Sequence, residues 1–279
     1  MSSGLCFNTL STLSWGKLNI KGNDMENEVS TETIKITLEV GGSPLTMGMS
    51  VPSESVKLRA MLPIIRKMSN SFIEMGVEQV IAAGKEISCR AGCGACCRQL
   101  VPVSESEAFD LGELVEGMPE PRRSEIKERF RTGNETLEAA GYFKRLSDAA
   151  KSGDQEYEAA ITEYFRFQIA CPFLDNESCS IHESRPITCR EYLVTSPAEL
   201  CKTAEGTGVE NIRHFFQVKE SLITTARERT LKEMPYVPMI KVLDWATENA
   251  GREKEKTGRE WMQSFFGELS RLSGPPEKE

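Results

Sequence analysis

The chain has 279 residues, of which 39% are hydrophobic and 27% charged, and its formal net charge is −8. That length suffices for one large domain or two small ones with a sizeable buried core. The acidic balance disfavours nucleic acid and anionic membrane surfaces as partners, and no lysine–arginine block offsets it locally.

Residues 1–15 are mildly apolar but hold no basic residue before Lys17 and are interrupted by serines and threonines. They make a poor signal peptide, and no stretch reaches the length of a membrane span, so a cytoplasmic location without membrane contact is expected. Met25 opens the polar run MENEVSTE, and residues 1–31 read as a disordered extension, with 1–24 lying ahead of an alternative start.

Residues 32–85 read as a β-hairpin followed by a helix. Ile34, Ile36, Leu38 and Val40 alternate with polar residues, Gly41-Gly42 supply a turn, and Leu45, Met47, Met49 and Val51 alternate again. From Glu54 to Ile81 the period becomes helical, with Leu58, Leu62, Ile65, Met68 and Phe72 on one face and Pro63 kinking or restarting the helix. Ser104-Glu-Ser-Glu is a capping-box pattern that opens a helix to about Gly117. Residues 122–168 predict a charged insert of two or three surface helices. Ser196-Pro-Ala-Glu predicts a short capped helix holding Cys201. Helices are expected at about 209–232, 238–249 and 257–272, within a C-terminal unit 204–272, and 273–279 read as a disordered tail. The fold class is mainly α, with an irregular metal-centred core in a cysteine domain spanning 86–203.

Nine cysteines and only two histidines, His182 and His214, make any multi-ligand metal site mostly thiolate. In a reducing compartment, grouped cysteines point to metal or redox chemistry rather than disulfides. Four of them fall within nine residues, Cys89-Arg-Ala-Gly-Cys93-Gly-Ala-Cys96-Cys97. A Cys-x-x-Cys step turns the chain so that two sulfurs converge, and glycine and alanine leave backbone N–H groups free to donate to them. The second group is spread out: Cys171, Cys179, Cys189 and Cys201. It has no close Cys-x-x-Cys step and would chelate poorly alone, so a site shared between both groups is expected. Eight thiols suffice for two four-thiolate sites or for one cluster with spares. Adjacent Cys96 and Cys97 are expected to diverge, one of them serving a second site or standing uncoordinated. Arg90, Arg98, Arg185 and Arg190 lie close in sequence and would offset the negative charge of such a centre.

These residues resemble the YkgJ-like cysteine-cluster family of zinc- or iron-chelating domains. The resemblance rests on Cys93-Gly-Ala-Cys96-Cys97, Cys171-Pro-Phe-Leu, Cys179-Ser-Ile-His182, Arg185-Pro186 and Cys189-Arg190. It implies metal held by Cys89, Cys93, Cys96, Cys97, Cys171, Cys179, Cys189 and Cys201, either as an iron–sulfur cluster (4Fe–4S favoured) or as zinc. His182 stands where the family usually has tyrosine, which suggests a hydrogen-bonding role ahead of a nitrogen ligand. Over the same motif the chain is similar to flagellin lysine N-methylases, which would add S-adenosylmethionine and a protein substrate.

Three rivals remain. The spacing Cys89-x3-Cys93-x2-Cys96 is that of radical S-adenosylmethionine enzymes, but Ala95 replaces the usual aromatic and no strand–helix alternation follows. A non-catalytic zinc interaction module fits the composition. A thiol oxidoreductase cycling Cys93 and Cys96 lacks its βαβ context. The expected function is metal binding, with electron transfer to a redox partner as an extension of it.

Overall fold

A computed structural model of the chain describes residues 30–40, 43–202, 208–227 and 234–273. The expectations for residues 1–29, for the Gly41-Gly42 turn and for the tail beyond Ser273 lie outside them.

Strands β1 (Thr31–Val40) and β2 (Ser43–Pro52) form the expected antiparallel hairpin, in the register Ile34↔Met49, Ile36↔Met47 and Leu38↔Leu45. Its period-two pattern buries Ile34, Leu38, Met47, Met49 and Val51 on one face. The helical period after Glu54 starts later than expected. Residues Ser55–Lys57 form β3 instead, and a 3-10 turn at Leu58–Met61 leads into α1 (Leu62–Ala82). Pro63 lies in the first turn of α1, where its missing N–H is harmless, so it starts the helix rather than kinking it.

A 3-10 turn at Ala95–Arg98 and the short β4 (Pro102–Val103) precede α2 (Glu105–Glu116). The Ser104–Glu107 capping box is formed as the pattern foretold. The insert supplies three helices, α3 (Arg122–Ala139), α4 (Tyr142–Ser152) and α5 (Asp154–Glu163). They are more than surface helices. Ile126, Phe130, Leu137, Tyr142 and Leu146 are fully or almost fully buried, and each such side chain contributes about 1.5–3 kcal/mol.

Strands β5 (Leu174–Asp175) and β6 (Ser178–Cys179) make a tight hairpin, followed by α6 (Ile187–Glu191) and a 3-10 turn at Ala198–Lys202. Of the helix expected over 209–232, Val218–Ala226 forms α7, residues 209–217 do not join it, and 228–232 lie outside the described residues. Asn211 instead bridges Val194, and His214 sits in irregular chain with Nε2 2.7 Å from the Glu191 carbonyl. Then come β7 (Val237–Pro238), α8 (Val242–Glu248), β8 (Glu255–Thr257) and α9 (Gly258–Leu272). Two short antiparallel pairs join distant segments, β3 with β8 and β4 with β7, whereas β5 and β6 pair locally. Among the described residues no helix is long and apolar enough to cross a membrane.

Two large apolar cores result. The hairpin, α1, α7 and α9 enclose the first, with Ile187 and Phe216 completing it. Helices α2–α5 and α8 enclose the second, together with Phe173 and Ile181. A third, small cluster is made by Ala95, Val194 and Cys201, with Cys89, Cys93 and Tyr192 against it. The cysteine segments thus contribute to the second core and to this small cluster, and Ile187 ties them to the first.

Candidate metal centre

The first cysteine segment folds as two consecutive turns. Gly92 has φ +80°, a conformation that strains any other residue, and the Cys93 N–H donates to the Arg90 carbonyl at 3.1 Å. In the 3-10 turn that follows, Cys97 N–H bonds Gly94 O and Gln99 N–H bonds Cys96 O, both at 3.1 Å. Cys96 and Cys97 stand side by side in this turn, and the Cys97 side chain is the largest influence on the Cys96 thiol, raising it above its ordinary range.

The second segment is built onto the first. The Cys171 N–H donates to the Cys97 carbonyl at 2.7 Å, so the two groups meet through the backbone. Phe173 anchors this junction, fully buried and edge-on to Phe130 with ring centroids 5.4 Å apart. Asn176 and Glu177 both adopt positive φ, 47° and 59°, as a two-residue hairpin turn requires. Arg98 donates to Gly94 O at 2.9 Å and pairs with Glu177 at 2.5 Å, while Arg122 and Arg129 hold Asp175. Gly94 allows the closest approach. A Cβ there would lie 2.7 Å from Leu174 Cδ1 and 3.1 Å from Glu177 Cα.

Cys189 lies on α6, whose start is fixed from elsewhere. Ile187 N–H donates to Glu107 Oε1 at 2.7 Å, and Thr188 Oγ1 to Pro102 O at 2.6 Å. Arg190 donates to the carbonyls of Glu183 and Arg185 and to Asn70 Oδ1, and so shapes the loop before α6. Cys201 is buried in its 3-10 turn. Its sulfur lies 4.0 Å from Tyr192 Oη, which in turn accepts from Gln99 Nε2 at 2.9 Å.

Burial raises the Cys89, Cys171, Cys179, Cys189 and Cys201 thiols above their ordinary range, Cys171 to about 12. For Cys96 the hydrogen bond to Cys97 is the larger cause, ahead of burial. Neighbouring sulfurs add mutual repulsion between would-be thiolates. A bound cation inverts this logic, because a coordinated thiol loses its proton to the metal. Among the described residues no three Cys, His, Asp or Glu side chains form a group ready to hold a metal ion. The sulfurs share a neighbourhood without forming a finished coordination sphere, and rotation about χ1 re-aims a cysteine sulfur without backbone movement.

One orphaned polar atom fits an anionic thiolate centre. Arg185 Nε is buried with no hydrogen-bond partner in the structure. Its guanidinium acts electrostatically on Cys89, Cys96, Cys179 and Cys189. A metal-bound thiolate would give it an acceptor and offset its charge. Of the four arginines noted in the sequence, Arg98 and Arg190 are committed to carbonyls, with Arg98 also paired to Glu177, and Arg90 is exposed. His182 is 62% exposed, with Nδ1 3.7 Å from Glu183 Oε1. Sequence reasoning missed Gly94, Glu107, Gln99 and Tyr192 as supports. For Glu107 the capping box was a signal, but its second bond, to Ile187, had none.

No curated protein and no solved structure matches the chain significantly, and the expected similarity to flagellin lysine N-methylases finds no support. The model of one family, CxxCxxCC, described as "Putative zinc- or iron-chelating domain", matches residues 88–207. That span holds all eight cysteines of both segments, Gly94 and Arg185. Residues 88–207 of this chain are therefore similar to that domain family, and the match takes in both cysteine segments.

Proposed function

We propose that the chain binds metal through thiolates drawn from both cysteine segments, with an iron–sulfur cluster of the 4Fe–4S type ahead of zinc. The observation that carries this reading is the hydrogen bond from Cys171 N–H to the Cys97 carbonyl, which joins the two cysteine segments, so that Cys96 acts electrostatically on Cys171, Cys179 and Cys189 of one as well as on Cys89 of the other. Eight sulfurs and no buried imidazole among them make a soft donor set, which suits both zinc and iron–sulfur centres. The buried cation of Arg185 supports a centre of net negative charge. An iron–sulfur cluster held here would supply one-electron chemistry, and Tyr192 O–H, aimed at Cys201, is placed to adjust its electron density.

The test is the metal content and visible spectrum of the full chain purified without oxygen, after expression with ample iron and a working cluster-assembly system. A brown protein containing iron and acid-labile sulfide is expected. A colourless protein with stoichiometric zinc would replace the iron–sulfur reading by the zinc one, and a metal-free chain would remove both. If the centre is a cluster, dithionite should bleach it reversibly, as electron exchange with a redox partner requires.

A further inference from the structure

A cleft of about 300 Å³ opens where the two large cores meet, between α2 and α8 of the second and α7 and α9 of the first. Small-molecule sites concentrate at such boundaries, in clefts of about 300 Å³ and upward. None of the described cysteines lines it, so it is independent of the metal-binding reading. Its apolar side is aromatic. Phe109 is buried and stands edge-on to Trp245, with ring centroids 5.1 Å apart, whereas Trp245 is only half-buried and keeps ring surface open to the cleft. Trp261 is buried beside them, its Nε1 donating to the Val56 carbonyl at 2.7 Å.

The polar side reverses the charge of the molecule. The whole chain has 42 acidic residues against 34 lysines and arginines, yet the cleft is lined by four cations, Arg227, Arg252, Lys254 and Lys256, against two carboxylates, Glu105 and Glu253. Glu253 is already offset, by Lys57 at 3.5 Å and Arg59 at 3.4 Å. Arg252 and Lys256 are positioned by neutral groups and form no ion pair among the described residues. Arg252 donates to Asn249 Oδ1 at 2.9 Å, and Asn249, itself buried, is anchored through Nδ2 to the Trp245 carbonyl at 2.8 Å. Lys256 Nζ lies 4.6 Å from the centroid of the Trp261 ring and 3.3 Å from Ser264 Oγ. Two cations held in place without a counter-charge, beside an open aromatic face, lack an anion that also brings a ring.

From this arrangement we infer a binding site for a small aromatic anion, a one- or two-ring compound carrying one carboxylate or phosphate. Its ring lies against Trp245 and Phe109, and its charged group meets Arg252 and Lys256. Aromatic partners favour offset or edge contact with the ring, the cations select negative charge, and the volume suits a ring pair with a short acidic arm.

Calorimetry on the full chain tests the site, with indoleacetate as the carboxylate probe and naphthyl phosphate as the phosphate probe. Saturable binding of at least one is expected, and the tighter of the two assigns the acidic group. Uncharged indole should bind roughly 10-fold more weakly than the anion or worse, the least that loss of a charge-assisted hydrogen bond costs, and cationic tryptamine should not bind. Arg252→Gln and Lys256→Met, each shown to be folded by thermal unfolding, should each weaken the anion roughly 10-fold, whereas Lys35→Gln, at an exposed cation outside the cleft, should change nothing. The inference is overturned if neither probe binds at millimolar concentration, if indole or tryptamine binds as tightly as the anions, or if Lys35→Gln weakens binding as much as the two cleft substitutions.

Discussion

Gly94→Ala tests the joint between the two cysteine segments with one methyl group. Gly94 has φ −94° and ψ 17°, which alanine adopts without strain, so the effect is steric alone. The new Cβ would meet Leu174 Cδ1 at 2.7 Å, Glu177 Oε2 at 2.9 Å and Glu177 Cα at 3.1 Å. Leu174 can swing its methyl aside. Glu177 is less free, because Arg98 holds its carboxylate at 2.5 Å and its backbone occupies the left-handed turn. The hairpin must therefore shift as a unit by a few tenths of an ångström, away from the turn that carries Cys96 and Cys97. Overpacking of this kind costs about 1–3 kcal/mol. The restraint on Glu177 places the cost near ~2 kcal/mol, which for a chain of this size lowers Tm by roughly 4–8 °C. If metal is held across the joint, ~2 kcal/mol is also on the order of a 30-fold loss of metal affinity. Thermal unfolding and chelator competition on the purified protein measure both. Gly267→Ala is the control, because its Cβ would meet nothing within 4 Å on the exposed side of α9; it should stabilise by up to ~1 kcal/mol. A Gly94→Ala protein with unchanged Tm and unchanged metal retention would refute the claim that the segments are joined there.

Glu107→Ala should cost about 2–4 kcal/mol in denaturant unfolding, since it removes the cap of α2 and strands the Ile187 N–H that starts the Cys189 helix. A loss under ~1 kcal/mol would show that the bond to Ile187 is unimportant. Arg185→Met should weaken metal retention against a chelator by roughly 10- to 150-fold, the worth of a charge-assisted hydrogen bond at about 1.5–3 kcal/mol, whereas Arg90→Met at the exposed neighbouring position should change nothing. Equal effects of the two substitutions would count against Arg185 as the counter-charge. Burial holds the His214 imidazole below its ordinary range, beside the Glu191 carbonyl. The unfolded chain therefore takes up a proton at His214 near pH ~6.5 while the folded chain does not, and stability falls as pH drops below that value. Denaturant midpoints at pH 7.5 and 5.5 should show a smaller acid loss in His214→Gln than in the wild type, and parallel losses would exclude the histidine.

The chemistry of the site was legible before the fold because it depends on residue type and short spacing. Four cysteines in nine residues with Gly92 and Gly94 between them already describe a sulfur-rich turn, and the Ser104 capping box and the hairpin alternation also appear where the pattern puts them. The errors lie where tertiary pairing overrode local propensity. Residues 55–57 continue an acceptable helical pattern, yet they pair with 255–257, some 200 residues away. The segment 209–217 carries apolar residues at helical spacing, but Phe216 is drawn into the first core and Asn211 bridges Val194. The tight turn at Asn176–Glu177 lacked its usual glycine and so gave only half a signal.

The sequence by itself determined the donors proposed for the metal: eight cysteines, which of them are close neighbours along the chain, and a motif whose order makes both segments similar to one described domain family. It also determined that the chain would be mainly helical, because apolar period and capping residues act within a few positions of each other. Tertiary structure alone decided which thiols share a neighbourhood, which arginine is left facing them, and that Cys171 is hydrogen-bonded to Cys97 across 73 intervening residues. The reason is physical. Helical period and capping are satisfied by nearby residues, whereas sharing a cation, burying a sulfur and bringing two loops to van der Waals contact at Gly94 depend on distances that only the packed cores set.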